Sequence, residues 1–397
     1  MSTATITPIP QGQGILPDDL LERCRERASR YDRDNVFFTE DFEELRALGY
    51  LVAAVPVSHG GWGLDLAQLG AEQRRLARYA PATALALSMH FYWVGLAAEL
   101  AAIGDMRGEW MLRDAAAGEV FAAGHAESGN DISVLLSTSR AERVEGGYRF
   151  FGRKHFGSLS PVWTRFGVHA LDASDPAAPM IVHGFIRRDD PGFEVVDVWD
   201  TLGMRATQSH DTVLDGVFVP DERIGCVTPP GDPTDPFNAF MTMWALTLIA
   251  NSYTGIAERA FELAVSSAQS KTSIGVTRGS LAYHPMIQHR VSEMHLELDA
   301  VRAVVDRLAH DWTTGVDHGD RWAMQILSAK WRAVEGAKRV VDIAVDVTGG
   351  AAMFKRHEIE RLYRDVRAGG FHPGTDAYTH EVIGKVALGV AADEPRW

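Results

Sequence analysis

The hydrophobic pattern of this chain changes period twice, and that change bounds the fold more tightly than composition does. From Pro17 the apolar residues recur at three- and four-residue spacing. Pro17-Asp18-Asp19 opens one helix, Thr39 caps a second that Gly49 ends, and further helical patterns begin near Asp65 and Ala82. Between about Phe121 and Pro220 the chain breaks into short β-rich runs: Tyr148 to Phe151, Phe166 to Leu171, Met180 to Ile186, Phe193 to Trp199 and Thr212 to Val219. After the linker Pro229-Pro230-Gly231-Asp232-Pro233, helical patterns return over Phe237 to Lys271, His284 to Trp312, Arg321 to Thr348 and Asp376 to the C-terminus. The order predicts an α+β protein with an N-terminal helical domain (1–120), a middle β domain (121–230) and a C-terminal helical domain (231–397).

With 39 Lys+Arg against 53 Asp+Glu the net charge is −14, and the basic residues are scattered, so neither a nucleic-acid nor an anionic-membrane partner is expected. Cys24 and Cys226 are too few for a disulfide framework and sit in no metal-binding spacing, which points to a reducing cytoplasm and no metal. Met1 to Gly14 lacks the basic start and apolar run of a signal peptide. The apolar run Ala82 to Ile103 is interrupted by His90 and Glu99 and is Ala-rich, as suits a helix buried among helices. His59-Gly60-Gly61-Trp62-Gly63 lacks the Lys-Ser/Thr of a phosphate loop, and Gly349-Gly350 follows no strand; taken alone, each is a turn.

Their combination is more telling. Val55-Pro56 with Gly60-Gly61-Trp62-Gly63, Glu127-Ser128-Gly129-Asn130-Asp131, Gly152-Arg153-Lys154-His155-Phe156-Gly157-Ser158, Leu202-Gly203-Met204-Arg205 through Val217-Phe218-Val219-Pro220, and Gly349-Gly350 with Glu360-Arg361-Leu362-Tyr363-Arg364-Asp365 fall in the order of motifs of the acyl-CoA dehydrogenase superfamily. The chain resembles that superfamily from about Val55 to Gly389. The resemblance implies a middle β-barrel or sheet domain, a C-terminal four-helix bundle, a flavin bound between them, and a homotetramer or homodimer.

The dehydrogenases of that superfamily need a carboxylate to take the α-proton of an acyl thioester. Its usual place after the "RD" run is Pro373 here, and its alternative place on the first C-terminal helix falls in Trp244-Ala245-Leu246-Thr247. Asp376 and Glu381 are near in sequence, but one helical turn displaces a base by about 5 Å, too far for the same proton.

What stands instead resembles the superfamily's flavin-dependent monooxygenases: His372, Ser158, Asn130, His90, and Thr207-Gln208-Ser209 with Gln where that branch carries Gly. The resemblance implies transfer of oxygen from O₂, through a C4a-hydroperoxyflavin, to a hydrophobic aromatic or heteroaromatic small molecule such as an indole-type ring. His372, near its pKa of about 6.5, would deliver a proton, Ser158 would hydrogen-bond flavin N5, and Asn130 would bond the reactive oxygen. Phe91, Tyr92, Trp93, Phe237, Phe240 and Trp244 would form an aromatic wall that excludes water. Phe156 and Ser158 would contact the flavin ring, while Lys271 and Gly349-Gly350 would meet its phosphates, which favours FAD over FMN. No NAD(P)H fingerprint follows a predicted strand, so reduced flavin would come from a separate NAD(P)H flavin reductase.

Plainer readings stand beside these. His90 on an apolar helix reads more readily as a satisfied core residue and Phe91-Tyr92-Trp93 as core packing, while Ser158 reads equally as an ordinary strand residue, Asn130 as an Asx turn and Lys271 as a solvated helix end. An acyl-CoA dehydrogenase or oxidase with an unusual base, and a catalytically silent flavin-binding scaffold, are the competing functions.

Overall fold

The computed structural model describes residues 14–131, 134–276 and 279–390. The expectation for Met1 to Gly14 therefore lies, but for Gly14, outside the described residues.

Among the described residues five α-helices come first: α1 (Asp18–Asp34), α2 (Thr39–Leu48), α3 (Leu66–Ala77), α4 (Pro81–Ala102) and α5 (Glu109–Ala116). Asp65 starts α3 through a capping box, its carboxylate accepting from the Gln68 N–H while the Gln68 side chain accepts from the Asp65 N–H. Thr39 does not cap α2; it is the first helical residue after Phe38, and no side chain caps that end. Gly49 does end α2, in the left-handed conformation that glycine takes without strain (φ 87°). Helix α4 is long and apolar enough to cross a membrane by length and composition, but 78% of its most apolar window is buried inside the fold. Burial on every face explains why it shows no amphipathic stripe.

Eight strands follow among the described residues: β1 (Phe121–Gly124), β2 (Arg140–Val144), β3 (Gly147–Gly157), β4 (Arg165–Asp172), β5 (Met180–Arg187), β6 (Phe193–Val196), β7 (His210–Pro220) and β8 (Ile224–Thr228). They form one mixed sheet in the order β6-β7-β3-β2-β4-β5-β8, with β1 pairing parallel to β4. The antiparallel β3/β7 ladder slips register between Lys154 and Gly157, and there Phe156 adopts a left-handed backbone (φ 59°). A bulge of this kind bends the strand and re-aims its side chains.

The C-terminal part contains α6 (Pro236–Ser270), α7 (Pro285–Thr313), α8 (Trp322–Thr348), α9 (Glu358–Arg367) and α10 (Asp376–Leu388). Helix α6 is the spine, packing on α3, α4, α7 and α8. It meets α4 tightly at Gly95, where a Cβ would lie 2.1 Å from the Trp244 ring.

Two motif pairs brace the sheet domain. Lys154 on β3 and Glu127 in the loop after β1 form a fully buried ion pair at 2.5 Å. Burial pushes the Glu127 carboxyl up, but the Lys154 ammonium and the loop's donors outweigh that and bring it to about 2. Gly203 lies where α9 comes so close that a Cβ would be 2.4 Å from the Arg364 backbone, and the Met204 N–H donates to Asp365 at 2.6 Å. The Gly-Met-Arg turn and the Arg-Asp pair are thus two sides of one joint.

Candidate active site

A cavity of about 1040 Å³ opens between the sheet and the C-terminal helices. Its sheet side carries His155, Phe156 and Ser158 from the bulged end of β3 and Trp199 to Ser209 from the turn before β7; its helical side is α6, α8 and the segment from α9 into α10. Most of the wall is apolar. Phe156 is 52% exposed and Phe371 78% exposed, rings left uncovered in the wall of a cleft, where burial by a ligand offsets the cost of exposure.

Ser158 ends a chain of hydroxyls. Its Oγ lies 2.7 Å from Ser209 Oγ, Ser209 Oγ lies 2.7 Å from Thr207 Oγ1, and Thr207 Oγ1 donates to the Met204 carbonyl at 2.8 Å. All four residues line the cavity. The turn that sets this chain is flanked by left-handed backbone at Met204 (φ 54°) and Gln208 (φ 44°). Gln208 therefore occupies a conformation suited to glycine. Its side chain donates to the Asn35 and Arg205 carbonyls at 2.9 and 3.1 Å and pairs with His210 at 3.1 Å, contacts that offset the strain.

His372 lines the cavity from the segment joining α9 to α10. Burial first, and the Lys330 ammonium second, push its imidazole down to about 3, so it is neutral at pH 7. The expectation of an imidazole near 6.5 is corrected accordingly. Tyr253 on α6 is fully buried and its phenol is pushed far above its ordinary value, so it keeps its proton, and its hydroxyl hydrogen-bonds His372 Nε2 at 2.9 Å. That bond fixes the orientation of the His372 ring, and with the phenol as donor the ring proton sits on Nδ1. Lys330, buried on α8, donates to the carbonyls of Gly369 and Gly374 at 3.2 and 2.9 Å, with His372 O at 3.4 Å, and so shapes the segment that carries His372. Sequence reasoning missed both Tyr253 and Lys330.

The two places where a dehydrogenating carboxylate is expected both reach the cavity, and neither holds an acid: Pro373 stands at one, Ala245 and Leu246 at the other. The carboxylates in the lining are Asp131 and Asp320, and both are exposed to solvent.

Residues 20–112 match the family description "Acyl-CoA dehydrogenase, N-terminal domain" and residues 241–388 match "Acyl-CoA dehydrogenase, C-terminal domain". The chain belongs to the acyl-CoA dehydrogenase superfamily. Within it the chain is similar to L-evernosamine nitrososynthase of Micromonospora sp., 30% identical over 402 residues covering 98% of this chain and 93% of that one. Dibenzothiophene monooxygenase of Rhodococcus erythropolis is 28% identical, over 96% of this chain and 97% of its own. The solved structure of KijD3 in complex with FMN and dTDP-3-amino-2,3,6-trideoxy-4-keto-3-methyl-D-glucose superposes with a TM-score of 0.84 at 28% identity, covering 95% of this chain and 93% of that one. The relatives of this acyl-CoA dehydrogenase superfamily chain are flavin-dependent oxidoreductases, so it is an enzyme of flavin oxidation chemistry.

Of the candidate catalytic, flavin and substrate-wall residues, the fold brings Ser158, Phe156, His372 and Tyr92 to the cavity, together with Thr207 and Ser209, while His90, Asn130, Phe91, Trp93, Phe237, Phe240, Trp244, Lys271 and Gly349-Gly350 lie outside its lining. His90 is fully buried in α4. Its Nε2 bonds the Leu51 carbonyl at 2.8 Å, its Nδ1 accepts from the Phe121 N–H at 3.1 Å, and burial pushes its pKa down to about 4. Both nitrogens are used structurally, which removes it from the catalytic set. The Asn130 amide donates to Glu127 at 3.0 Å and to Leu136 O at 2.6 Å, holding its own loop, and Asp131 is the neighbour that lines the cavity.

Phe91 and Trp93 point into the core, Phe91 against Tyr50 and Trp93 against Phe185 and Phe237. Phe237, Phe240 and Trp244 mark the wrong stripe of α6: Phe240 packs edge-on against Trp312, and the Trp244 indole donates to Glu99 at 3.2 Å. The face of α6 toward the cavity is the adjacent one, carrying Asn238, Met241, Thr242, Ala245 and Ile249. Lys271 bonds the Thr348 carbonyl beside Gly349-Gly350, so these three lie together but outside the cavity lining. Among the described residues no group of His, Cys, Asp or Glu could hold a metal ion.

Proposed function

We propose that the protein is a flavin-dependent monooxygenase that takes up flavin in its reduced form, as FADH₂ or FMNH₂, from a separate NAD(P)H reductase, and oxygenates a hydrophobic small molecule. The observation that carries this reading is the cavity wall at Pro373, Ala245 and Leu246, where a dehydrogenase needs a carboxylate. The lining fits a flavin: uncovered rings at Phe156 and Phe371 suit a flat ring system, and Ser158 supplies a hydroxyl for its N5 edge. A bound reduced flavin supplies the electrons that activate O₂. The chain's own residues then position and shield. With a flavin bound, Ser158 would bond its N5 edge, the apolar wall would keep water out, and the neutral His372, oriented by Tyr253, would offer a ring N–H as a hydrogen-bond donor in the cavity.

The substrate most consistent with this wall is an aromatic or heteroaromatic ring. The nitrososynthase relatives, together with the exposed Asp131 and Asp320 in the lining, support a second reading: oxidation of an amine on a nucleotide-linked sugar. Lys271 and Gly349-Gly350 would meet the flavin phosphates across a subunit boundary in a homotetramer or homodimer. The exposed apolar side chains Ile274, Met353 and Phe354 around them support such an assembly, and the phosphate contact favours FAD over FMN. Two buried free thiols, Cys24 and Cys226, are in keeping with a cytoplasmic enzyme.

One screen tests the reading. Chemically reduced FAD or FMN, O₂ and a panel of indole, dibenzothiophene and a dTDP-amino sugar are incubated with the enzyme, and products carrying one or more added oxygen atoms are sought by mass spectrometry. An oxygenated product supports the proposal and selects the substrate class. Bleaching of oxidised flavin by an acyl-CoA without oxygen, and no oxygenated product, would reject it in favour of a dehydrogenase with an unusual base.

A further inference from the structure

The hydroxyl chain beside Ser158 has only one self-consistent proton arrangement. A carbonyl oxygen can only accept, so the 2.8 Å contact between Thr207 and Met204 O commits the Thr207 proton to that carbonyl. At 2.7 Å the next contact needs a proton between its oxygens, and Thr207 has none left, so Ser209 donates to Thr207. By the same step Ser158 donates to Ser209, again at 2.7 Å. Ser158 therefore reaches the cavity with lone pairs and without a proton to give. Ser209 is 2% exposed, Thr207 1% and Ser158 9%, so the orientation of the hydroxyls is set by their partners.

We infer that Thr207 and Ser209 are positioning residues that fix Ser158 as an acceptor, and that this polarity makes the site select reduced over oxidised flavin. The inference rests on the proposed reading that a flavin binds with its N5 edge at Ser158. Reduced flavin carries a hydrogen on N5 and donates to an acceptor; oxidised flavin has only a lone pair there, and two lone pairs facing each other repel. A site wired in this way takes the cofactor in the redox state that a reductase delivers and releases it after oxidation.

The test is binding, without turnover. Dissociation constants for oxidised and dithionite-reduced FMN and FAD are measured anaerobically for the wild type, Ser209→Ala, Thr207→Val, Thr207→Ser and Ser158→Ala, each first shown to be folded by its melting curve. The wild type should bind reduced flavin more tightly. Ser209→Ala and Thr207→Val each free the Ser158 proton, by removing its acceptor or by letting Ser209 turn round. Both should tighten oxidised-flavin binding, lowering the preference about five- to tenfold, the worth of one hydrogen bond. Thr207→Ser keeps the hydroxyl and should keep the wild-type ratio. If Ser158→Ala changes the ratio while Ser209→Ala and Thr207→Val leave it at the wild-type value, the wiring is wrong and the flavin placement stands. If Ser158→Ala also leaves the ratio untouched, the N5 placement itself falls.

Discussion

Replacing Lys330 with Met should change the pH dependence of stability and loosen the segment that carries His372. The ammonium is 2% exposed, and burial, reinforced by Lys338, lowers its pKa to about 8. Holding that charge out of water costs about 3 kcal/mol, the equivalent of the fall from 10.5 to about 8. Against this stand its bonds to Gly369 O and Gly374 O, each worth about 1.5–3 kcal/mol for a charged donor. Gly374 O keeps the Thr379 hydroxyl at 3.1 Å when the lysine is removed. At pH 7 the terms nearly cancel, and Lys330→Met should cost on the order of 1–2 kcal/mol.

The pH dependence is the sharper readout. The folded value lies below the unfolded one, so between about pH 8 and 10.5 the unfolded chain holds more protons and stability rises with pH; below pH 8 the penalty is fully present. Urea unfolding at pH 7 and pH 10 should show the wild type gaining about 2–3 kcal/mol relative to the Met variant. Amide exchange over residues 368–375 should quicken in the variant. Parallel pH dependences, or unchanged exchange in that segment, would show that Lys330 neither bears this burial cost nor holds the segment.

Three other outcomes are expected. Gly95→Ala drives a methyl to 2.1 Å from the Trp244 ring and should lower stability by about 1–3 kcal/mol, read as a fall in melting temperature. Lys154→Met leaves the Glu127 carboxylate buried without its counter-ion and should cost about 3–5 kcal/mol in urea unfolding, with much of the loss recovered when Glu127→Gln is added. Because His372 is held at about 3, the rate of oxygenation should show no inflection near pH 6.5 from this group, and His372→Ala should keep flavin binding while hydrogen peroxide replaces product.

The helix–sheet–helix order was legible because each part holds its period over long stretches, and five of the eight strands show as β-rich runs. Strands β1, β2 and β8 were missed: each carries Ala, Gly or charged residues in place of the aromatic and β-branched run that reveals the equally short β6. On α6 the aromatic stripe at Phe237, Phe240 and Trp244 was visible, but large rings mark where a helix is packed, and a cavity lies where smaller residues leave room. His90 and Asn130 misled for a related reason: residue type announces hydrogen-bonding capacity, while the partner that consumes it comes from Leu51, Phe121, Glu127 or Leu136, up to 39 residues away. Lys330 and Tyr253 gave no local signal, since each sits on an ordinary helical pattern and meets its partners across the bundle.

The departure from a dehydrogenase site involves more than the missing carboxylate at position 373. The carbonyls on either side of that position, His372 O and Gly374 O, both face the Lys330 ammonium, at 3.4 and 2.9 Å. A carboxylate restored by Pro373→Glu would enter the field of that buried cation. Nearby positive charge lowers a carboxyl pKa, whereas abstraction of an α-proton needs one raised toward neutrality. The same cation helps to keep the neighbouring imidazole neutral, which suits a site where His372 acts as a hydrogen-bond donor. Lys330 thus disfavours a catalytic base at position 373, and building dehydrogenation there would require changing α8 as well as the segment after α9.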